Sequence, residues 1–331
     1  MFTGIDIGGT NTDIAIIDSE IKTFKVPNSE GLNSALGKIS SSGRLAISTS
    51  QPLNDIITGP PADIKTITIP GPGLIYPGAV KGAVSHRGDV VEPIDPGEIH
   101  TLMKGSHARG VAIAGKFSVR NDILEQEVFD IVSEYVSEEQ IALSSPLGAL
   151  HFPARIHTTR FNAQIKGKVS KLISQIQSAC PNFYFVTSTG GLISAQRALG
   201  NPMLLYRSSP ATVANGAYFL SRNDDCLVVD IGGTTTELVP IKNGKPVQET
   251  VILNGSKTLI QAVHATSVPY GGDSCIREGL CSFRAGSSRS FGGGEPTLTD
   301  ALNVTGARIG DVGRSEVITS SCAQEIVQFY L

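Results

Sequence analysis

Two short stretches of this chain carry the residue types from which a phosphate and metal site is built. The first is MFTGIDIGGTNTDIAIID at residues 1–18, and the second is CLVVDIGGTTTELVPI at residues 226–241. In each, an apolar run delivers an aspartate, Asp6 or Asp230, and two glycines follow, Gly8–Gly9 or Gly232–Gly233. Hydroxyls come next: Thr10 and Thr12 in one copy, Thr234, Thr235 and Thr236 in the other, and a carboxylate closes each, Asp13 or Glu237. Glycines without Cβ atoms let a ligand approach the backbone and permit positive φ. Amide donors and hydroxyls suit phosphate oxygens. Carboxylates would repel a phosphate, but they suit a hydrated Mg²⁺ that bridges phosphates and keeps most of its water. Two such loops facing each other would clamp a nucleoside triphosphate and its metal between two domains. The alternative is a pair of unrelated Gly–Gly turns, and the shared spacing DIGGT-x-T-[DE] speaks against it.

The elements around the loops decide which phosphate chemistry is meant. Phe2–Ile7 and Asp13–Ile17 are apolar and β-branched, and Ile21–Val26 alternates strictly, so all three read as strands. No helix-length pattern separates the first two, which makes DIGGTNTD a hairpin turn. A Walker loop and a dinucleotide fingerprint both run from strand into helix, and neither GxxxxGK[ST] nor GxGxxG occurs here. Phosphate binding therefore has to come from backbone N–H groups and hydroxyls of a β-turn nest.

Further along, Gly31–Ile39 reads as a short helix, Arg44–Ser48 as a strand, and the proline-dense TGPPADIKTITIPGPGLIYPG as edge strands and turns. KGAVSHRGDVVEPI reads as a hairpin turning at Arg87–Gly88–Asp89, where the tripeptide and its neighbour His86 need no role beyond the turn. Val111–Phe117 is a buried strand. A helix follows, with Leu124, Val128, Ile131, Val132 and Tyr135 on one face and Asp122 with Glu125 as a capping box. FNAQIKGKVSKLISQIQSA, from Phe161, gives a second helix, FYFVTSTGGL a strand ending in a glycine turn, and SSPATVANGAYFLSR a helix starting near Pro210. CAQEIVQFYL closes the chain as a short helix.

The totals fit a globular protein. At 331 residues two domains are expected, and with 17% charged and 40% hydrophobic residues the composition is that of a folded chain. A net charge of −3 leaves no basic excess to hold a nucleic-acid backbone. No apolar run is long enough to span a bilayer, and Met1 leads almost directly into a strand without a basic leader, so a cytoplasmic location is expected. The five cysteines form no CxxC pair and no zinc-ligand spacing, and are expected to be reduced, mostly buried thiols.

Paired DxGGT-like hairpins resemble those of the actin, sugar-kinase and heat-shock chaperone ATPases. More narrowly, the chain resembles the ATP-dependent hydantoinase/5-oxoprolinase family, in the subunit that carries the ATPase fold. GIDIGGTNTDIAIID, GAVSHRGDVVEPID, AGKFSVRNDILEQEV, STGGLISAQRAL, SSPATVANGAYFL, VVDIGGTTTELVPI with its NGKP turn, and GGGEPTLTDALNVTG look like that family's segments in the same order. There are departures. ISTSQPLND stands where the family usually has a GTT-type stretch, SSPA replaces SGPA, Glu237 replaces an aspartate, and VPYGGDS replaces a more glycine-rich segment.

The resemblance implies an α/β, two-lobed actin-like ATPase fold, related to ribonuclease H, with a nucleotide cleft between lobes at residues 1–180 and 181–331. It implies ATP and Mg²⁺ as cofactors. Asp6, Gly8, Gly9, Thr10, Thr12 and Asp13 would contact phosphate or hydrated metal in the first lobe, and Asp230, Gly232, Gly233, Thr234, Thr235 and Glu237 in the second. Asp6 and Asp230 would face the metal through water, and Gly271, Gly272 and Asp273 would sit by the adenosine. Asp13 and Glu237 would orient or deprotonate an attacking group, or else hold magnesium through water or brace their own turns. The implied reaction is phosphorylation of an amide carbonyl of a cyclic imide or lactam, after which water opens the ring. Relatives in the same broad group couple ATP to ketone carboxylation. A small-molecule kinase or ATP-dependent ligase of a one-carbon-carrier pathway, and a nucleotide-binding regulatory subunit, are the alternatives. The expected partners are a small-molecule substrate, a second enzyme subunit, since full members are longer, and a further copy in a homo-oligomer. Neither nucleic acid nor a membrane is expected.

Overall fold

The alternation of apolar and polar residues at the start of the chain becomes an antiparallel meander of β1 (Phe2–Ile7), β2 (Asn11–Ile17) and β3 (Ile21–Pro27). The structure is a computed structural model that describes residues 1–39, 43–50, 56 and 63–331. Strand β4 (Arg44–Thr49) runs parallel to β1 on its other edge. Because side chains alternate across a strand, Ile5 and Ile7 of β1, Ile14 of β2, and Leu45 and Ile47 of β4 share one face and enter the core. Val169, Leu172, Ile173 and Ile176 of the helix Phe152–Ala179 join the same core. The same period of two sends Asp6 to the opposite face, away from the apolar layer.

The parallel strands β5 (Ile64–Ile69), β8 (Gly110–Gly115) and β9 (Ile141–Leu143) form a second sheet, while β6 (Ala83–Val84) and β7 (Val90–Glu92) make a separate hairpin. That hairpin turns at Arg87–Gly88–Asp89, where the Ser85 N–H donates to the Asp89 carbonyl at 2.7 Å. Strand β5 lies at the edge of its sheet, as its proline-rich flanks require, and β8 is buried along its whole length between its two neighbours. Strands β10 (Phe183–Val186) and β11 (Leu192–Ser194) return to the first sheet, whose order is β11-β10-β4-β1-β2-β3.

The chain packs as two units, Met1–Thr212 with Gln248–Val263, and Val213–Val247 with His264–Leu331. Residue 180 lies inside the first of these units. Phe183–Val186 hydrogen-bonds to β4, and this pairing keeps the following residues in the first unit. In the second unit β12 (Cys226–Ile231) pairs with β13 (Thr236–Lys242), which also pairs with β14 (Lys245–Pro246). The hairpin of β15 (Gln248–Leu253) and β16 (Ser256–Val263) belongs to the first unit, where the Leu259 N–H donates to Thr158 Oγ1 at 2.9 Å. Strand β17 (Thr266–Val268) then joins β13, and the helices Leu298–Val304 and Ser320–Tyr330 pack together on a core of their own.

Three expectations are corrected. The long helix starts at Phe152, before the expected Phe161, because Pro153 sits in its first turn, where a missing N–H costs nothing. Glu125 does not cap its helix. It is fully buried, and its carboxylate accepts from the Gly115, Ser144 and Ser145 N–H groups at 2.7, 3.1 and 2.9 Å and from Ser144 Oγ at 2.6 Å. Of the five free thiols only Cys180 and Cys275 are buried. Residues 58–62 of the proline-rich stretch and 51–55 of ISTSQPLND lie outside the described residues.

Glu125 has a buried counterpart in Arg155, whose pKa burial pushes down. The guanidinium donates to Ser118 Oγ at 2.7 Å, to Ser144 Oγ at 2.9 Å and to the Gly115 carbonyl at 2.7 Å, so Ser144 links the two charges. Arg155→Ala leaves a buried carboxylate without its counter-charge, and chemical denaturation is expected to show a loss of about 3 kcal/mol or more. Arg160→Ala, on the exposed side of the same helix, is expected to change stability by less than about 0.5 kcal/mol.

Candidate functional site

The two DIGGT segments are hairpins with the same register. Asp6 lies opposite Asp13 and Ile7 opposite Thr12; Asp230 lies opposite Glu237 and Ile231 opposite Thr236. In each, the first glycine N–H donates across the turn at 3.0 Å, from Gly8 to the Asn11 carbonyl and from Gly232 to the Thr235 carbonyl. This leaves Gly9–Thr10 and Gly233–Thr234 as the tips. A Cβ on Gly8 would stand 3.0 Å from the Asn11 oxygen and one on Gly232 3.1 Å from the Thr235 oxygen. Close approach within the turn, not positive φ, is what these glycines provide, for neither is among the positive-φ glycines.

Each tip is braced from outside its own hairpin. In the first, the Asn28 N–H donates to the Thr10 carbonyl and Asn28 Nδ2 to the Gly8 carbonyl, both at 2.9 Å, and Thr12 Oγ1 donates to Asn28 Oδ1 at 3.1 Å. In the second, the Gly272 N–H donates to the Gly232 carbonyl and the Asp273 N–H to the Gly233 carbonyl, both at 2.8 Å. Thr236, at the position equivalent to Thr12, donates to the Tyr270 carbonyl at 2.8 Å. Both threonines are buried. The Thr12 hydroxyl thus serves the brace, whereas Thr10 and Thr234 occupy the tips.

Gly271, Gly272 and Asp273 form a strut under the second loop. A Cβ on Gly271 would stand 2.6 Å from the Thr234 carbonyl carbon and 2.7 Å from the Gly232 oxygen, so only glycine lets these backbones meet. The Asp273 carboxylate pairs with Arg284 Nε at 2.9 Å and accepts from the Ser288 N–H at 3.2 Å. Burial raises its pKa, and Arg284 opposes that shift.

Asp6 is the most tightly held acid of the first hairpin. Ser48 Oγ donates to Oδ1 at 2.6 Å and Ser209 Oγ to Oδ2 at 2.8 Å. Burial is the main cause that raises the Asp6 pKa, with Asp13 adding to it and the two hydroxyls opposing. Ser208 fixes this corner, accepting from the Thr49 N–H at 2.9 Å and donating to the Thr49 carbonyl at 3.0 Å. Asp13 faces Lys25 on β3 and pairs with it at 3.1 Å. In the second hairpin no hydrogen bond or ion pair engages the Glu237 carboxylate among the described residues.

Asn28, Ser48 and Ser209 were missed from sequence. Ser48 and Ser209 reach Asp6 across 42 and 203 residues, separations that no local pattern marks. Ser209 alone left a signal, as the SSPA departure from SGPA, and its side chain supplies the hydroxyl on Asp6. Among the described residues no group of three His, Cys, Asp or Glu could hold a metal. A magnesium ion bound here would take its inner ligands from phosphate and water, which fits aspartates acting through water.

An α/β chain with two such hairpins has an actin-like fold, and solved structures share it. Acetone carboxylase in its nucleotide-free form matches with a TM-score of 0.74 at 18% identity, over 100% of this chain and 61% of that one. The ATP-dependent caprolactamase from Pseudomonas jessenii matches with a TM-score of 0.66 at 19% identity, over 99% and 61%. The expected fold class is the one observed. Residues 155–310 match the family model described as Hydantoinase/oxoprolinase, which supports the family assignment. An uncharacterized protein of Methanocaldococcus jannaschii is 25% identical over 180 residues, which are 50% of this chain and 26% of that protein. The chain thus spans about a quarter of that relative and 61% of each solved chain.

Proposed function

We propose that the two hairpins bind one magnesium nucleoside triphosphate, ATP by family, and that its γ-phosphate activates the carbonyl of an amide, lactam or related small molecule. The observation that supports this best is the repeated register: twice, an acid pair stands behind a glycine tip, and each tip is fixed by a brace of its own. Donors held in place before the ligand arrives need no reorganisation when charge develops. On this reading the backbone at the tips Gly9–Thr10 and Gly233–Thr234 receives phosphate oxygens, and Asp6 and Asp230 orient the metal's water. Magnesium nucleotide, when bound, supplies an electrophilic phosphoryl group that turns a carbonyl oxygen into a leaving group.

Of the two candidate bases, Glu237 is the better placed. The Asp13 carboxylate is neutralised by Lys25 at 3.1 Å, whereas nothing among the described residues occupies Glu237. Glu237 would accept the proton of the attacking water or amine. The test is ATP consumption against a panel of lactams, hydantoins, amines and a ketone with bicarbonate. One of these is expected to stimulate turnover, and Glu237→Gln to lower the stimulated rate by about 100-fold with nucleotide affinity kept. Ring-opened product marks a hydrolase and a stable phosphorylated product a kinase. Nucleotide binding without stimulation by any compound would contradict the enzyme reading and favour a regulatory subunit.

A further inference from the structure

The two hairpins repeat each other, but they are braced by different means. Thr12 gives its proton to Asn28, 16 residues further along, and that one side chain also holds the Gly8 carbonyl. The equivalent Thr236 is held from two distant places. Its Oγ1 donates to the Tyr270 carbonyl at 2.8 Å and lies 2.5 Å from the hydroxyl of Tyr330, 94 residues away. A threonine hydroxyl has one proton, and a carbonyl can only accept. With that proton on the Tyr270 oxygen, the Tyr330 O–H is the donor to Thr236. The result is a directed chain from Tyr330 through Thr236 to the Tyr270 carbonyl. Thr236 is 2% exposed, which leaves water little access to replace either link.

Tyr270 leads directly into the strut, whose Gly272 and Asp273 N–H groups fasten the Gly232 and Gly233 carbonyls at 2.8 Å. The helix Ser320–Tyr330 grips Tyr270 twice. One grip is the chain through Thr236 to its carbonyl; the other is Phe329, edge-on to its ring with centroids 5.8 Å apart and planes at 85°. On its other side the strut hangs from Thr299 of the helix Leu298–Val304. Thr299 donates to the Gly272 carbonyl from its N–H at 2.9 Å and from its Oγ1 at 2.8 Å. The two helices share one apolar core, so the strut is slung between elements that pack on each other. We propose that Tyr330 is a positioning residue for the second phosphate loop, acting through Thr236 and Tyr270 on the tip at Gly233–Thr234. The proposal rests on the nucleotide reading above and adds the residue that sets where that half of the site stands. Amide donors favour a phosphate most when their position is fixed beforehand, and loss of the Tyr330 link lets strut and tip drift.

Tyr330→Phe removes one hydroxyl and keeps the ring. In the ligand-free protein, amide exchange at Gly272 and Asp273 is expected to speed up at least about fivefold. Val228 and Val239, paired further along the same hairpin, should keep their rates. Magnesium-ATP affinity should fall about fivefold. Thr236→Val breaks both links and should reproduce these effects. Adding Tyr330→Phe to it should change nothing more, because the two residues act in series. Tyr218→Phe is the control: it deletes a tyrosine hydroxyl of the same unit, bound to Asp224 at 3.1 Å, and should leave both readings unchanged. Unchanged strut exchange in Tyr330→Phe, equal effects from Tyr218→Phe, additive effects in the double variant, or faster exchange with affinity kept would each overturn the proposal. A wild type that binds no nucleotide would instead sink the functional reading, while the exchange rates, which need no ligand, still decide whether Tyr330 holds the loop.

Discussion

Asp6→Asn is expected to weaken magnesium-ATP binding by at least about tenfold and, at pH 7, to raise the thermal midpoint of the ligand-free protein. Both effects come from one carboxylate. It is half-buried beneath Ser48 and Ser209, faces Asp13 across the strand pair, and has a raised pKa chiefly because burial disfavours its charge. A raised acid is a cost to folding when ionised. Below the ordinary value of 3.8 it is protonated in folded and unfolded chains alike, and stability is unaffected. As pH rises from there through the raised folded value the unfolded chain ionises first, and the wild type loses stability that the asparagine variant keeps. Thermal melts of both proteins from pH 3.5 to 7.5 should therefore coincide at the acid end and diverge towards neutrality. Parallel melts over the whole range would show that the Asp6 charge is not strained. Retention of an unstable charge at a hairpin base is what a site kept for ligand binding, at some expense of stability, leads one to expect.

Gly271→Ala should be the most damaging single-methyl change in the strut beneath the second loop. Its Cβ would meet backbone on three sides, 2.6 Å from the Thr234 carbon and 2.7 Å from both the Gly232 oxygen and the Gly233 carbon. The two strands of backbone must separate, and with them the Gly272–Gly232 and Asp273–Gly233 hydrogen bonds. A loss of about 2–3 kcal/mol is expected, together with weaker nucleotide binding through a displaced tip. Gly272→Ala should be milder, because its Cβ crowds the Thr299 hydroxyl at 2.6 Å and stands an ordinary 3.7 Å from the Gly232 oxygen, and Gly279→Ala, with nothing within 4 Å, should be neutral. Denaturation midpoints of the three variants check the order. Equal effects at 271 and 279 would mean that the strut does not bear on the loop.

The hairpins, their repetition and the family were legible because each rests on local pattern. Period-two apolar runs meet at glycine pairs, and no helix fits between them. What surrounds the tips was not legible, because its parts are brought together by topology. Asn28 sits just beyond a strand and reads as an ordinary turn residue until β3 folds back beside the first tip. Gly271–Gly272 suggested room for an adenosine, and their glycine character proves to serve backbone packing against the second loop. Glu125 resembled a cap by spacing, yet a buried arginine 30 residues on draws it inward.

If the two hairpins serve one nucleotide, both must matter to the same binding event. Calorimetric titration of a non-hydrolysable magnesium-ATP analogue into the wild type, Asp6→Ala and Asp230→Ala tests it directly. One nucleotide per chain is expected, with affinity reduced at least about tenfold by either substitution alone. Two nucleotides per chain, each lost with its own hairpin only, or binding indifferent to both aspartates, would contradict it.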